Sequence, residues 1–455
     1  MKTFSEIRSD FPVTRLRFPV TGRTGDQPLI YMDHGASTHA PQPVLDKYHQ
    51  FLSGYYANVH RGHHHLSQVS TELFDHVSEI IFQFIGGNPS QNCILFTQNT
   101  TQALDMAAHM VSHLDGTTLT TLMEHHSNDL PHRKRGPVLH VDVHAEDGSL
   151  DYQDLAQQLK KHRIRLVAVT GCSNVTGYFP DIHRIARMAH EAGALILVDA
   201  AQLIAHDKID VKPNDHPEHI DLLAAAGHKA YAPMGSGFLF GPRDLFDAAE
   251  PYLPGGGTVR FVTGTDVLFA ASPDRHQGGT PNIAGAIAVG AALNYLSEIG
   301  METVREHERE LTVYAMDVLR AIPGLTLYGP ESADRKSGVL TFNLSNLAHD
   351  LVSVILNNEY AIATRNGCFC AHPLLTRLLG LTEEETAGLR ERMLKGEETR
   401  VPGAVRATIG LYNTREEIDV LADALRKMAD GKWAGDYSSG TGYDRCQTDY
   451  YNFKV

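Results

Sequence analysis

Apolar positions along the first half of the chain follow two alternating periods. Short, nearly unbroken apolar runs (CILFT, VLHVDV, RLVAVTGC and ALILVDAA) are the pattern of strands buried on both faces, and TTLTTLM adds a further strand. Between them, TQALDMAAHMVSHL, YQDLAQQLKKH and DIHRIARMAHEAG space their apolar residues three and four apart, as amphipathic helices do. PQPVLDKYHQFLSG and SQVSTELFDHVSEIIFQFIGG predict two helices ahead of this series. The β-α-β rhythm predicts an α/β fold with a mostly parallel sheet covered by helices on both faces. A long helical region follows over about 281–321. From Gly324 the pattern becomes α+β: GVLTFNL, the helix HDLVSVILNNE, IATRNG, two helical stretches, the strand AVRATIGL and a last amphipathic helix, TREEIDVLADALRKMA. The chain thus divides into an irregular N-terminal arm (1–28), a large domain (29–300), a small C-terminal α+β domain (301–430) on which the N-terminal segment could pack, and a flexible tail (431–455) rich in Gly, Ser, Tyr and Asp.

Composition narrows the function. A chain of 455 residues with a net charge of −14 has no bulk attraction for nucleic acid or an anionic membrane. No apolar run is long enough to span a bilayer, and MKTFSEIRSDFP lacks the core of a signal peptide, so the expected location is the cytoplasm. Five cysteines, of which only Cys368 and Cys370 cluster, are not a disulfide framework and suit a reducing compartment. The run His63-His64-His65 has no spaced carboxylate partner and C-x-C lacks a second cysteine pair, so no metal site is expected.

The candidate chemistry sits at the ends of the apolar runs. ALILVDAAQ ends in Asp199 and Gln202, and the next run ends in Ala226-Gly227-His228-Lys229. An acid after one buried strand and a lysine after the next suit pyridoxal phosphate: the lysine forms a Schiff base with the aldehyde, and the acid holds the pyridinium nitrogen protonated. Thr100 and Thr101 open a helix straight after CILFT, where free N–H groups favour a phosphate; capping alone is the competing role. His125, in TLMEHHSND, could stack on a pyridine ring and shuttle protons as a catalytic residue, or be a surface histidine. Asn174, in CSNVTGY, could donate to a ring oxygen or make a simple turn. Thr280, in HQGGTPNIAG, is a second phosphate candidate or part of a helix start. Arg406 suits an amino-acid carboxylate or a structural ion pair, and Arg365 is a further candidate for the same task. RNGCFCAHP surrounds its thiols with small and polar residues, which points to an exposed, reactive cysteine rather than a packed one.

These residues resemble the class V aminotransferase-like family of pyridoxal phosphate enzymes, and within it the SUF-type (group II) cysteine desulfurases and selenocysteine lyases. The resemblance runs from about Tyr31 to Met428 through YMDHGAST, NVHRGHHHLS, TTQALD, MEHHSND, SNVTGY, VDAAQ, GHK, GGTPN, R-x-G-x-x-C-A-x-P and R-A-x-x-x-x-YNT. It implies fold type I, with a seven-stranded-type sheet in the large domain. It implies that Lys229 binds the cofactor covalently, Asp199 pairs with the pyridinium and His125 stacks on the ring. It implies that Thr100, Thr101, His228 and, from a second subunit, Thr280 hold the phosphate, while Gln202 and Asn174 bond the ring oxygen. Arg406, with Arg365, His60 and Asn174, would bind the substrate, and Cys370 would take its sulfur. A homodimer, an amino-acid substrate and a protein sulfur acceptor are implied as well. Ala226 stands where the family usually has a phosphate-binding serine, Cys368-Phe369-Cys370 where it has H-H-C, and an insertion over about Thr382 to Glu398 precedes Arg406. The C-F-C string resembles the corresponding loop of molybdenum-cofactor sulfurases. The expected reaction is desulfuration of cysteine, or of a related thiol amino acid, to alanine. The alternatives are a C–S β-lyase giving pyruvate and a sulfur-carrier or scaffold protein with weak turnover.

Overall fold

The structure, a computed structural model, describes residues 2–437 except 234, 398 and 400. Seven strands form the central sheet: β1 (Asn92–Thr97), β2 (Thr117–Thr121), β3 (Val138–Val141), β4 (Ile164–Thr170), β5 (Leu195–Asp199), β6 (Leu222–Ala226) and β7 (Gly237–Pro242). Their order is β1-β7-β6-β5-β4-β2-β3, and only β7 runs antiparallel to its neighbours. Side chains alternate between the two faces. Ile94, Val167, Val169, Ile196, Val198, Leu223 and Phe238 join one apolar cluster. Cys93, Leu95, Leu166, Ala168, Leu197, Leu222 and Leu239 join another on the opposite face. Burial on both faces is why these runs are mostly apolar rather than alternating.

The helical region beyond 281 is two helices, Ile283–Ile299 and Met301–Arg320, bent by 75°. The residue between them is Gly300, at φ 88°, a backbone angle that favours glycine. Among the described residues, no single helix is long and apolar enough to cross a membrane. The C-terminal sheet is antiparallel, with strands β8 (Leu325–Tyr328), β9 (Val339–Leu344), β10 (Arg365–Gly367) and β11 (Ala404–Thr408) in the order β8-β9-β11-β10. The insertion carries the helix Glu383–Leu394, which has a Thr382/Glu385 capping box and buries no residue.

The structure corrects the reading of three segments. The N-terminal arm is not irregular throughout: Thr3 and Glu6 form a capping box on the helix Phe4–Ser9, and Ile7, Phe11 and Val13 enter the main core. The strand Ile30–Tyr31, read as part of the large domain, pairs in parallel with Ile362–Ala363, and Ile30 and Met32 lie in the C-terminal apolar cluster. The chain therefore pairs with C-terminal strands before it enters the seven-stranded sheet. The start of the tail is docked, because the Ala434 and Gly435 amides and the Tyr437 hydroxyl all donate to the Glu359 carboxylate. Residues 438–455, including Cys446, lie outside the described residues.

Candidate active site

The carboxyl ends of β1, β2, β4, β5 and β6 face one cavity of about 740 Å³, the usual ligand position in an open α/β sheet. After β1, the Asn99 side chain accepts from the Gln102 amide and caps the helix Thr100–Met110. The Thr100 hydroxyl is buried without a hydrogen-bond partner, and Thr101 shares a 2.8 Å bond with Ser127. A helix N-terminus with a buried spare hydroxyl is a receptor for an anion.

His125 follows β2. Its Nδ1 accepts from the Ser127 amide at 3.1 Å, so the ring proton resides on Nε2. Burial, aided by the Lys229 ammonium, pulls this imidazole down to about 4, and it stays neutral at pH 7. After β4, one Asn174 amide hydrogen goes to the Phe369 carbonyl at 2.7 Å. Asp199 ends β5, is buried, and accepts from the Ala201 amide at 2.9 Å; burial raises its carboxyl above the usual range. Gln202 donates to the Gly35 carbonyl at 2.7 Å, and its Oε1 has no partner.

β6 runs into the turn Gly227–Lys229. A Cβ at Gly227 would lie 2.7 Å from Ser236 Oγ and 2.8 Å from Val289, so only glycine fits there without displacing them. The Thr38 amide donates to the His228 carbonyl at 2.8 Å and fixes the turn. Burial, with Arg406 nearby, pulls the Lys229 amine down to about 8. The amine is therefore neutral far more often at pH 7 than an ordinary lysine.

The C-terminal domain closes the other side. Arg365 and Arg406 are direct cross-strand partners, an arrangement of like charges that is unfavourable by itself. Asp33 lies between them, with Oδ2 3.2 Å from Arg365 and Oδ1 3.5 Å from Arg406. Arg406 is buried, donates to the Asn174 carbonyl at 2.9 Å and keeps an unpartnered Nε; Arg365 is exposed. Phe369 and Cys370 both adopt left-handed backbone, at φ 55° and 56°. Their loop is fastened across the cleft, as the His126 amide donates to the Cys370 carbonyl at 2.8 Å. The His126 and His372 rings stack at 5.0 Å beside it. Cys370 is exposed, Cys368 is half-buried, and both line the cavity with Lys229.

Most of the residues singled out from the sequence therefore converge: Thr100, Thr101, His125, Asn174, Asp199, Gln202, His228, Lys229, Arg365, Cys370 and Arg406 all line the cavity. Two do not. His60 is exposed, bonds Asp75 at 2.9 Å and lies outside the cavity, so within one chain it does not reach a substrate there. Thr280 lines a neighbouring cavity of about 310 Å³ with Gln98, Gln102 and Gly237. Sequence reasoning missed Asp33 and Glu124. Glu124 is buried, accepts from Thr121 and Asn128 at 2.6 Å each, and burial pushes it up to about 8. Both lie in motifs, YMDHGAST and MEHHSND, whose acidic positions were the available signal.

The arrangement suits pyridoxal phosphate on its own chemistry: an anion receptor with an unpartnered hydroxyl, a buried acid, a lysine pulled down to about 8 and a neutral imidazole surround one cavity. Comparison with known proteins agrees. Residues 30–421 match the Aminotransferase class-V family. The chain is 36% identical over 432 residues to a cysteine desulfurase of Pectobacterium atrosepticum, covering 93% of this chain and 97% of that protein. It is 34% identical over 436 residues to a cysteine desulfurase of Haloferax volcanii, covering 92% and 95%. Among solved structures, the apo cysteine desulfurase from Thermococcus onnurineus NA1 superposes with a TM-score of 0.82 at 30% identity, covering 95% of this chain and 99% of that one.

Proposed function

The chain belongs to the aminotransferase class-V family, among the cysteine desulfurases, and on that premise we propose that it takes sulfur from L-cysteine as a persulfide on Cys370, releasing alanine. The observation that carries this reading is the placement of Lys229 and the exposed Cys370 on one cavity, from opposite domains. The cofactor in the proposal is pyridoxal 5'-phosphate, which Lys229 would hold covalently, Asp199 through its ring nitrogen, and Thr100, Thr101 and His228 through its phosphate. Bound there, it supplies an electron sink that acidifies the substrate Cα–H. His125 would lie against the ring, and Gln202 and Asn174 would orient it.

Arg406 binds the substrate carboxylate through its free Nε–H and Arg365 screens the entrance. Lys229, with its amine pulled down to about 8, would serve as the base that takes the Cα proton and returns it. The Cys370 thiolate would then attack the substrate sulfur: the S–S bond forms, the substrate C–S bond breaks with its electron pair left on the carbon skeleton, and that skeleton takes one proton at Cβ and recovers one at Cα to leave as alanine. The same proposal includes a homodimer to which Thr280 contributes across the interface, a cytoplasmic setting that suits the free thiols, and a protein acceptor that docks near the helix Glu383–Leu394.

A single turnover with cysteine, alkylation and peptide mass analysis tests the assignment. One extra sulfur on the peptide at Cys370, with alanine as product, is expected in the wild type and in Cys368→Ser. It should be absent in Cys370→Ser and Lys229→Ala. Sulfur on Cys368 alone would reverse the thiol assignment, and pyruvate with no labelled cysteine would replace the reaction with β-elimination.

A further inference from the structure

At the opposite, amino-terminal end of the central sheet, three side chains converge. His190 lies on the last turn of the helix Ile182–Glu191, His219 in the connection that follows β5, and Asp221 immediately before β6. His190 Nε2 is 3.0 Å from Asp221 Oδ2, and His219 Nε2 is 3.0 Å from Oδ1. The rings stack at 4.3 Å. All three groups offer ligand atoms within 4.8 Å of one another, and among the described residues they are the one His/Cys/Asp/Glu group that does so.

The hydrogen bonds around the rings decide their protonation. His190 Nδ1 meets the Pro217 carbonyl at 2.9 Å, and His219 Nδ1 meets the His216 carbonyl at 2.7 Å. A carbonyl only accepts, so both Nδ1 atoms carry hydrogen. In a neutral ring Nε2 is then a bare lone pair. Both lone pairs point at a nearly buried carboxylate that already accepts from the Ile196 amide at 2.8 Å. Lone pair facing lone pair is repulsive. The contact is relieved by a second proton on each of two stacked rings, which sets cation against cation, or by a single divalent cation shared among all three groups. Backbone carbonyls holding Nδ1–H are the usual outer partners of metal-bound histidine.

We propose that His190, His219 and Asp221 form a second site, separate from the active site, for a borderline divalent transition cation such as zinc. Two imidazole nitrogens and one carboxylate oxygen suit zinc rather than magnesium or calcium, which prefer all-oxygen sets. His219 and Asp221 also line a cavity of about 720 Å³, which gives the cation an entry path and leaves its fourth position to water. The cation fastens the end of one helix to the connection that leads into β6, the strand whose far end carries the Lys229 turn.

Tag-free full-length holoenzyme, stripped with a chelator and dialysed against zinc, tests this. Elemental analysis should find one zinc per chain in the wild type, and zinc should raise its melting temperature. His219→Ala and His190→Ala should each lose that ion, with zinc affinity weaker by roughly tenfold or more. Replacing His63, His64 and His65 together with alanine should leave it in place. The histidines are varied rather than Asp221 because Asp221 also holds the Ile196 amide, and circular dichroism checks that each variant folds. No zinc retained by the wild type, zinc content unchanged in both folded single variants, or loss only on changing His63–His65 would overturn the site.

Discussion

Arg406 is held in a way that leaves it ready for an anion. Burial pulls its guanidinium down to about 10, against the opposing pull of Asp33, and its Nε–H is unspent. A carboxylate arriving in the cavity supplies the missing partner. Arg406→Ala should therefore raise KM for cysteine, with a binding loss of about 2–3 kcal/mol, while cofactor absorbance is retained. Steady-state kinetics beside a cofactor titration checks this, and an unchanged KM would move the clamp to Arg365. Glu124 makes a pH-dependent contribution of opposite kind to an ordinary paired carboxylate. Its folded value, about 8, lies above the ordinary 4.5, so between these limits the folded chain keeps a proton that the unfolded chain releases. The stability this adds is complete below about pH 4.5 and is lost as pH rises to 8. Glu124→Gln cannot ionise, so the stability of the wild type relative to this variant should fall with rising pH in that window, by up to about 1.4 kcal/mol per unit. Denaturant melts at several pH values measure it, and a flat difference would mean that Glu124 is ionised in the fold.

Among the elements, the loop Gly367–Cys370 carries the most backbone strain near the chemistry. Two successive non-glycine residues in the left-handed region are uncommon, and such strain concentrates at functional sites. Cys370→Gly should be more stable than Cys370→Ala by about 1 kcal/mol, since relief of strain outweighs glycine's extra freedom in the unfolded chain. Urea unfolding of the two variants decides it, and an alanine variant at least as stable would show that the loop is unstrained. Strands and helices were legible in the sequence wherever burial imposed a period: Leu166–Val169 in β4 and Leu195–Val198 in β5 are unbroken apolar runs because both faces are covered, and Arg415–Ala429 is amphipathic because one face is. The capping box Thr3/Glu6 was visible and was passed over because the surrounding residues mix charge, proline and glycine. The pairing of Ile30–Tyr31 with Ile362–Ala363 had no local signal, because it joins segments more than three hundred residues apart. The same holds for His190 with His219 and Asp221: metal-ligand spacing is recognised when it is short, and here a whole strand intervenes. Active-site residues were easier to find because each follows its strand directly, where sheet topology converges them.

At the scale of the molecule, one apolar surface and one misplaced site residue point to the same arrangement. The hairpin Val259–Val262 and Val267–Phe269 exposes Phe261, Val262, Val267 and Leu268, and Leu253 is exposed close by in sequence. A contiguous apolar hairpin on the surface is unfavourable in water unless something covers it. Thr280 meanwhile lines a cavity beside Gln98 and Gln102, the residues flanking the start of the helix Thr100–Met110, but does not reach the cavity of Lys229 in its own chain. The twofold dimer proposed above would account for both, because an isologous interface buries the same patch on each copy and lets each chain complete the other's site. Phe261→Asp combined with Leu268→Asp should place charge in that interface without touching the core, since both side chains are exposed in the single chain. Sedimentation should then shift from dimer to monomer, and the cofactor should dissociate more readily, because on this proposal its phosphate loses Thr280. Thr280→Ala should reproduce the weaker cofactor retention while leaving the dimer intact. Monomeric wild-type protein, or a charged hairpin variant that remains dimeric with the cofactor held as before, would place the interface elsewhere.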